Sequence, residues 1–229
     1  MKKTLFYIIF CIVAINTFSQ EIYTAFGLRG AIGISKFSGM KGYETAGIIP
    51  GSYFTTTGPY SSTIFPAWDL GLTVQHGRNN FVIQGDLLIS YLNTGLKNAY
   101  IDKDEKLKRI RAYYTNLTIN FGTKWLINDN ARLIAGLGPY IGFDATGWLT
   151  GRSNNYGIDG GGYSLPDEGV LDTEEADYKT FDFGGSILLG MEYKNYQFAL
   201  NYYHGLYNVV KDDSSLYNRA LKLSVVYFF

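Results

Sequence analysis

From Gln20 onward the chain alternates apolar and polar side chains, with period two, in eight stretches. Residues 22–36 put Phe26, Leu28, Ile32 and Ile34 on one face, with Arg29, Ala31, Gly33 and Ser35 on the other. Residues 66–76 set Trp68, Leu70, Leu72 and Val74 against Asp69, Gly71, Thr73 and Gln75. Residues 80–92 set Phe81, Ile83, Leu87, Ile89 and Tyr91 against Gln84, Asp86 and Ser90. In 110–126, Tyr113, Leu117, Ile119, Phe121 and Trp125 oppose Asn116, Thr118, Asn120, Gly122 and Lys124. The second half repeats the scheme over 131–146, 179–193, 196–207 and the run to Phe229, with Leu133, Phe181, Phe198 and Leu223 typical of the apolar faces. Arg132, Asp144, Asp182, Glu192, Asn201 and Lys222 belong to the polar faces. Each stretch predicts a β-strand, and no helical period competes.

The connections alternate too. Gly77-Arg78-Asn79, Asn128-Asp129-Asn130 and Lys194-Asn195 are short turns built from residues that tolerate tight hairpins. Residues 37–65, 93–109, 147–178 and 208–217 read as long loops. Short and long alternate strictly, with both chain ends on the short side. The expected fold is therefore all-β: an eight-stranded antiparallel up-and-down transmembrane barrel, with periplasmic turns and extracellular loops.

A soluble barrel of the same strand count would turn the apolar face inward. An eight-stranded interior is barely wide enough for side chains to fill it. Four to six large apolar residues per strand would overfill it. The small residues lie opposite them: Gly27, Gly33, Gly71, Gly122, Gly136, Gly138, Gly142, Gly184, Gly190 and Gly205 are on the polar faces. Only Gly30, Gly85 and Gly185 are on the apolar ones. The crowded side is the polar side, so the apolar face meets lipid. Aromatics support this with two bands: Phe81, Trp125, Tyr193, Tyr196, Tyr227 and Phe229 near the turns, and Trp68, Tyr91, Tyr113, Phe143, Phe181 and Tyr202 near the long loops.

Composition agrees. Of 229 residues 46% are hydrophobic and 17% aromatic, with 20 Tyr and 27 Gly, while only 17% are charged. Twenty basic residues balance twenty acidic ones, which excludes a basic nucleic-acid binder. A single cysteine excludes a disulfide scaffold. Lys2 and Lys3, the apolar run Leu5–Ile15 and the small residues of Thr17-Phe18-Ser19 read as a signal peptide over 1–19, followed by one barrel domain over 20–229. The only cysteine, Cys11, leaves with that signal.

Candidate chemistry is sparse. Inward Arg29, Lys124, Arg132 and Lys222 face inward Asp69, Asp86, Asp144, Asp182 and Glu192. Near-balance predicts paired charges that close the lumen, because buried charges must be paired. A lipid-modifying barrel enzyme would need a His beside a Ser, oriented by a carboxylate. His204 is at a suitable height, but Leu206 and Tyr207 stand where a serine is wanted, so it reads as a girdle residue. His76, beside a turn, reads as a surface residue without a partner. Asp159, Asp167, Glu168, Asp172, Glu174, Glu175 and Asp177 cluster in one loop without calcium-loop spacing. Gly160-Gly161-Gly162 reads as a hinge there, since no helix follows to cradle phosphate. The charges of 97–111 are mixed, and its basic residues suit anionic lipopolysaccharide headgroups by charge alone. No catalytic, cofactor or metal residue is expected.

The stretch Tyr178–Val210 and the end Leu221–Phe229 resemble the porin-like, PorT-like family of outer-membrane β-barrels. The features are a glycine-rich penultimate hairpin, Tyr-x-x-Gly-Leu-x-Asn at Tyr202–Asn208 and a terminal aromatic. The architecture is similar to the OmpA and OmpX barrels. The resemblance implies an outer-membrane protein without catalysis, structural or binding through its loops, with a possible link to protein secretion. Phe229 and the alternate apolar residues back to Leu221 are similar to the signal read by the barrel-assembly machinery. Partners implied are outer-membrane lipid and lipopolysaccharide, that machinery, and envelope or secretion components. A small-solute channel and a lipid-modifying enzyme stay open as alternatives.

Overall fold

A computed structural model describes residues 22–38, 41–42, 60–102, 105–145, 170–172, 180–209 and 216–229. Ten strands follow in chain order: β1 (Ile22–Ser38), β2 (Lys41–Gly42), β3 (Tyr60–Arg78), β4 (Phe81–Asp102), β5 (Glu105–Asn128), β6 (Ala131–Asp144), β7 (Val170–Asp172), β8 (Phe181–Tyr193), β9 (Tyr196–Gly205) and β10 (Tyr217–Phe228). Eight of them form the barrel. Each of β1, β3, β4, β5, β6, β8, β9 and β10 pairs antiparallel with the next, and β1 pairs with both β10 and β3. That last pairing closes the sheet and removes its edges, so backbone groups are satisfied without water. The remaining two strands are short additions: β2 on β3, and β7 parallel to β5 at Arg109–Arg111.

Alternation decides what each strand shows to lipid. Ile32, Leu70, Leu137 and Leu223 stand outward at 72, 62, 68 and 64% exposure. Ala31, Asp69 and Lys222, the chain neighbours of Ile32, Leu70 and Leu223, are buried inside. A large aliphatic side chain that leaves water for lipid stabilises the inserted state by roughly 1.5–3 kcal/mol. The face assignment made from period two is the observed one.

Glycines mark the tight approaches. A Cβ on Gly33 would meet the Leu221 carbonyl oxygen, and one on Gly138 that of Ile119. Outward Gly30 and Gly185 have open space instead. The aromatic bands also form. Trp68, Tyr91 and Tyr113 cluster at the long-loop end, with Trp68–Tyr91 and Tyr91–Tyr113 centroids 5.8 and 4.9 Å apart. Tyr196 and Tyr227 meet at 5.2 Å at the turn end.

Boundaries differ from expectation in three places. Residues 93–109 are not a long loop: β4 and β5 continue as a hairpin, with pairs as far as Asp102 and Glu105. The charged, non-alternating sequence hides this, because a hairpin beyond the membrane has no lipid face to impose a period. Second, β3 begins at Tyr60 rather than 66. Pro66 lacks an N–H, and the strand absorbs it with a register shift between Ile64 and Trp68. The first turn is Asn79-Asn80, a residue later than expected, with Asn79 at φ 56°. The loop of acidic residues and Gly160–Gly162 lies outside the described residues except for 170–172.

Candidate functional site

The barrel interior gathers most of the buried charge of the described residues. At the turn end, Lys124 on β5 meets Glu192 on β8 at 2.6 Å. Gln75 on β3 ties the pair in: its Oε1 accepts from Lys124 Nζ at 2.5 Å, and its Nε2 donates to Glu192 Oε1 at 2.8 Å. The Tyr23 ring lies 4.7 Å beneath the ammonium, a cation–π contact that helps a desolvated charge. Gln75 Nε2 also donates to Gln84 Oε1 at 3.2 Å, and Gln84 Nε2 donates to Asp86 Oδ1 at 3.2 Å. The network thus climbs from the turns to mid-barrel.

There Arg29 Nη1 donates to Asp86 Oδ2 at 2.5 Å and its Nη2 donates to the Tyr203 hydroxyl at 3.0 Å. Thr73 Oγ1 donates to Asp86 Oδ1 at 2.7 Å. Lys222 pairs with Asp69, and its ammonium stands 5.5 Å from the Tyr203 ring centroid. Three ion pairs therefore lie inside the bore, each reaching over one intervening strand. Strand alternation delivers each of these side chains inward.

Toward the long loops the interior turns from ionic to mixed. Asp182 Oδ2 accepts from the Tyr140 hydroxyl at 2.9 Å and from Asn218 Nδ2 at 2.7 Å. Beside Asp182, among Tyr140, Asn218 and Lys222, is a cavity of about 10 Å³. That volume suits roughly one water. Phe37, Val209 and Leu216 are buried at the loop end. On another part of the wall, Val82, Ile134, Leu188 and Ala199 form an apolar cluster. That cluster was not expected from a face read as polar. Its signal is present at Leu188 and Val82, whose positions share the parity of Ser186 and Gln84.

Seven of the nine charges expected inside are buried and most are paired. Asp144 is half-buried near the loop end. Arg132 is a correction. It faces Glu192 across the β6–β8 pair, yet it is exposed at the turn-end mouth. Glu192 instead takes Lys124, which is buried inside the bore. Arg132 is a rim charge.

Both histidines lie on the outer wall. His204 Nδ1 is 3.0 Å from the Tyr202 hydroxyl, in keeping with a girdle residue. His76 was expected to lack a partner, but its Nδ1 is 2.9 Å from Thr24 Oγ1 on the adjacent strand. Neither has a serine and a carboxylate arranged around it among the described contacts. Among the described residues no group of His, Cys, Asp and Glu could hold a metal ion.

Solved structures match the chain at low similarity. The attachment invasion locus protein Ail of Yersinia pestis is 11% identical with a TM-score of 0.37, covering 92% of this chain and 100% of its own. The same protein in complex with the heparin analogue sucrose octasulfate gives 11% and 0.35, over 89% and 99%. The translocator domain of the autotransporter NalP from Neisseria meningitidis gives 9% and 0.28, over 100% and 96%. No curated protein matches the chain. The sequence itself is more decisive: residues 18–211 match the outer membrane protein beta-barrel domain family, and the chain belongs to that family.

Proposed function

We propose that this outer-membrane barrel is non-enzymatic, and that its work is structural or is done by its long loops, in binding at the cell surface or with envelope partners. One observation carries the reading: the bore is occupied by side chains tied through Arg29–Asp86, Lys222–Asp69 and Lys124–Glu192. An ion pathway would favour one sign of charge and continuous water, and the interior offers balanced pairs. In this reading residues 1–19 are a cleaved signal peptide, the turns and termini are periplasmic, and the long-loop end faces outward. The strand ending at Phe229 is the segment offered to the barrel-assembly machinery. Membership of the PorT-like group, and with it a link to protein secretion, rests on the Tyr202–Asn208 stretch and the terminal aromatic.

A clean gene deletion, scored for secretion, envelope integrity and adhesion, tests the reading. A defect in one of these with unchanged lipid A supports it. An altered lipid A profile would instead favour the lipid-modifying enzyme, and single-channel steps from the purified protein would favour the small-solute channel.

A further inference from the structure

The outer wall carries a charged row that the interior does not use. Lys36 on β1 pairs in register with Arg219 on β10, and Arg219 pairs with His204 on β9. Parity places all three on the face of Ile34, Leu221 and Tyr202, the lipid-facing one. Like charges directly opposite one another across two strands repel. Among the described residues no carboxylate pairs with Lys36 or Arg219. Arg219 donates from Nε to Ser38 Oγ at 3.1 Å, but its Nη1 is shielded from solvent and has no acceptor. His204 is engaged by Tyr202, so the standing cations are Lys36 and Arg219.

Against these cations lies a groove of about 110 Å³, lined by Ile34, Ile64, Tyr202 and Leu221 as well as Lys36 and Arg219. Its height fits a headgroup. Eight residues separate Tyr196 from His204 on β9, about 27 Å along a strand at ~3.4 Å per residue. A strand tilt of ~40° makes that about 21 Å along the barrel axis, close to the top of a ~25 Å apolar band. Snorkelling to the interface would explain one such cation. It does not explain two held face to face with a shielded N–H group between apolar side chains.

We propose that this groove binds a phosphomonoester-bearing glycolipid of the outward leaflet. A stretch of acyl chain lies against Ile34, Ile64 and Leu221, and the phosphate sits between the Lys36 ammonium and the Arg219 guanidinium. A phosphomonoester carries about −1.5 to −2 charge at neutral pH, which matches two cations. A phosphodiester carries half of that, and a choline headgroup brings its own cation. Arg219 contributes planar, directional donors and Lys36 a point charge. In the cell the site rests on the outward orientation read above. A nanodisc presents lipid at both ends, so the binding test is independent of that orientation.

The test uses the full-length purified protein in phosphatidylcholine nanodiscs, titrated separately with lipid A, dephosphorylated lipid A and phosphatidylglycerol. Retained lipid is counted by native mass spectrometry, and folding is verified by heat-dependent gel migration. Lipid A should be retained at least about tenfold better than the other two. Lys36→Gln with Arg219→Gln should abolish that preference, and Lys194→Gln at the turn end should keep it. If the double variant does not fold, Lys36→Gln alone should reduce the preference several-fold. Equal retention by the folded variant, or equal retention of dephosphorylated lipid A or phosphatidylglycerol, overturns the proposal.

Discussion

Arg29 and Asp86 meet at 2.5 Å inside the barrel, with both side chains fully buried. They come from β1 and β4, which are separated by β3, so the pair reaches over one strand inside the bore rather than along a single ladder. Thr73 and Gln84 hold the carboxylate, and Tyr203 takes the other guanidinium nitrogen. Desolvating two charges costs several kcal/mol each, and their attraction offsets this only while both are present.

Removing one partner should therefore be far worse than removing both. Arg29→Ala strands the Asp86 carboxylate, and about 3–5 kcal/mol of folding stability should be lost. Arg29→Met with Asp86→Leu should recover most of that loss. Arg132→Ala, at the exposed mouth, should change stability by less than about 0.5 kcal/mol. Urea titrations of refolding into lipid vesicles measure all three. A double variant as unstable as the single one would show that the pair acts through more than its charges.

How far the interior was legible depends on which rule governed each residue. Arg29, Asp86 and Lys222 followed from parity, since one face of each strand had to meet lipid and these could not. Their partners did not follow. Parity fixes the side of the wall, while partner choice depends on how strands far apart in sequence curl around the bore. Arg132 and Lys124 have the same parity toward Glu192, and only the closed geometry selects Lys124. Ile134 and Leu188 show the opposite limit: a polar face tolerates an apolar patch once the barrel closes over it. The hairpin at 93–109 escaped because strand pairing outside lipid leaves no hydrophobic period to read.

The outward face can be tested at one neighbouring pair. Leu223 stands in lipid and Ser224 is buried, donating to the Ala199 carbonyl and accepting from Asn201. Leu223→Arg should cost about 2–4 kcal/mol near the bilayer midplane. Ser224→Ala gives up only those two hydrogen bonds, about 1–2 kcal/mol. The same vesicle refolding assay separates them. A harmless arginine at 223 would contradict the membrane placement of β10.

Glycine positions provide a test independent of charge. A methyl group on Gly33 or Gly138 would press into a backbone carbonyl of the neighbouring strand, which cannot move aside like a side-chain tip. Gly33→Ala and Gly138→Ala should each lose about 1–3 kcal/mol through overpacking. Gly30→Ala and Gly185→Ala face open lipid-side space and should be neutral or slightly stabilising. Equal losses at all four sites, read from refolding yield and urea midpoints, would mean that the crowded face is not the inner one.

Conduction is the sharpest test of the filled bore. Side chains from all eight barrel strands occupy the interior, and the ion pairs alternate in sign rather than forming a ring of one charge. An ion entering would have to displace Arg29 or Lys222 from its carboxylate, which restores the full cost of a lone buried charge. The purified protein in planar bilayers should therefore show no steady conductance at neutral pH. Arg29→Met with Asp86→Leu should not open it either, because the new side chains fill the same space and repel water. Lys124→Ala is the more permissive change: it shortens a side chain near the turn-end mouth and leaves Glu192 for water to reach. Even there, the Arg29, Tyr203 and Lys222 layer still blocks the path, so brief flicker is the most that should appear. Reproducible single-channel steps from the unmodified protein would overturn the filled-bore reading and make a small-solute channel the better account of this barrel.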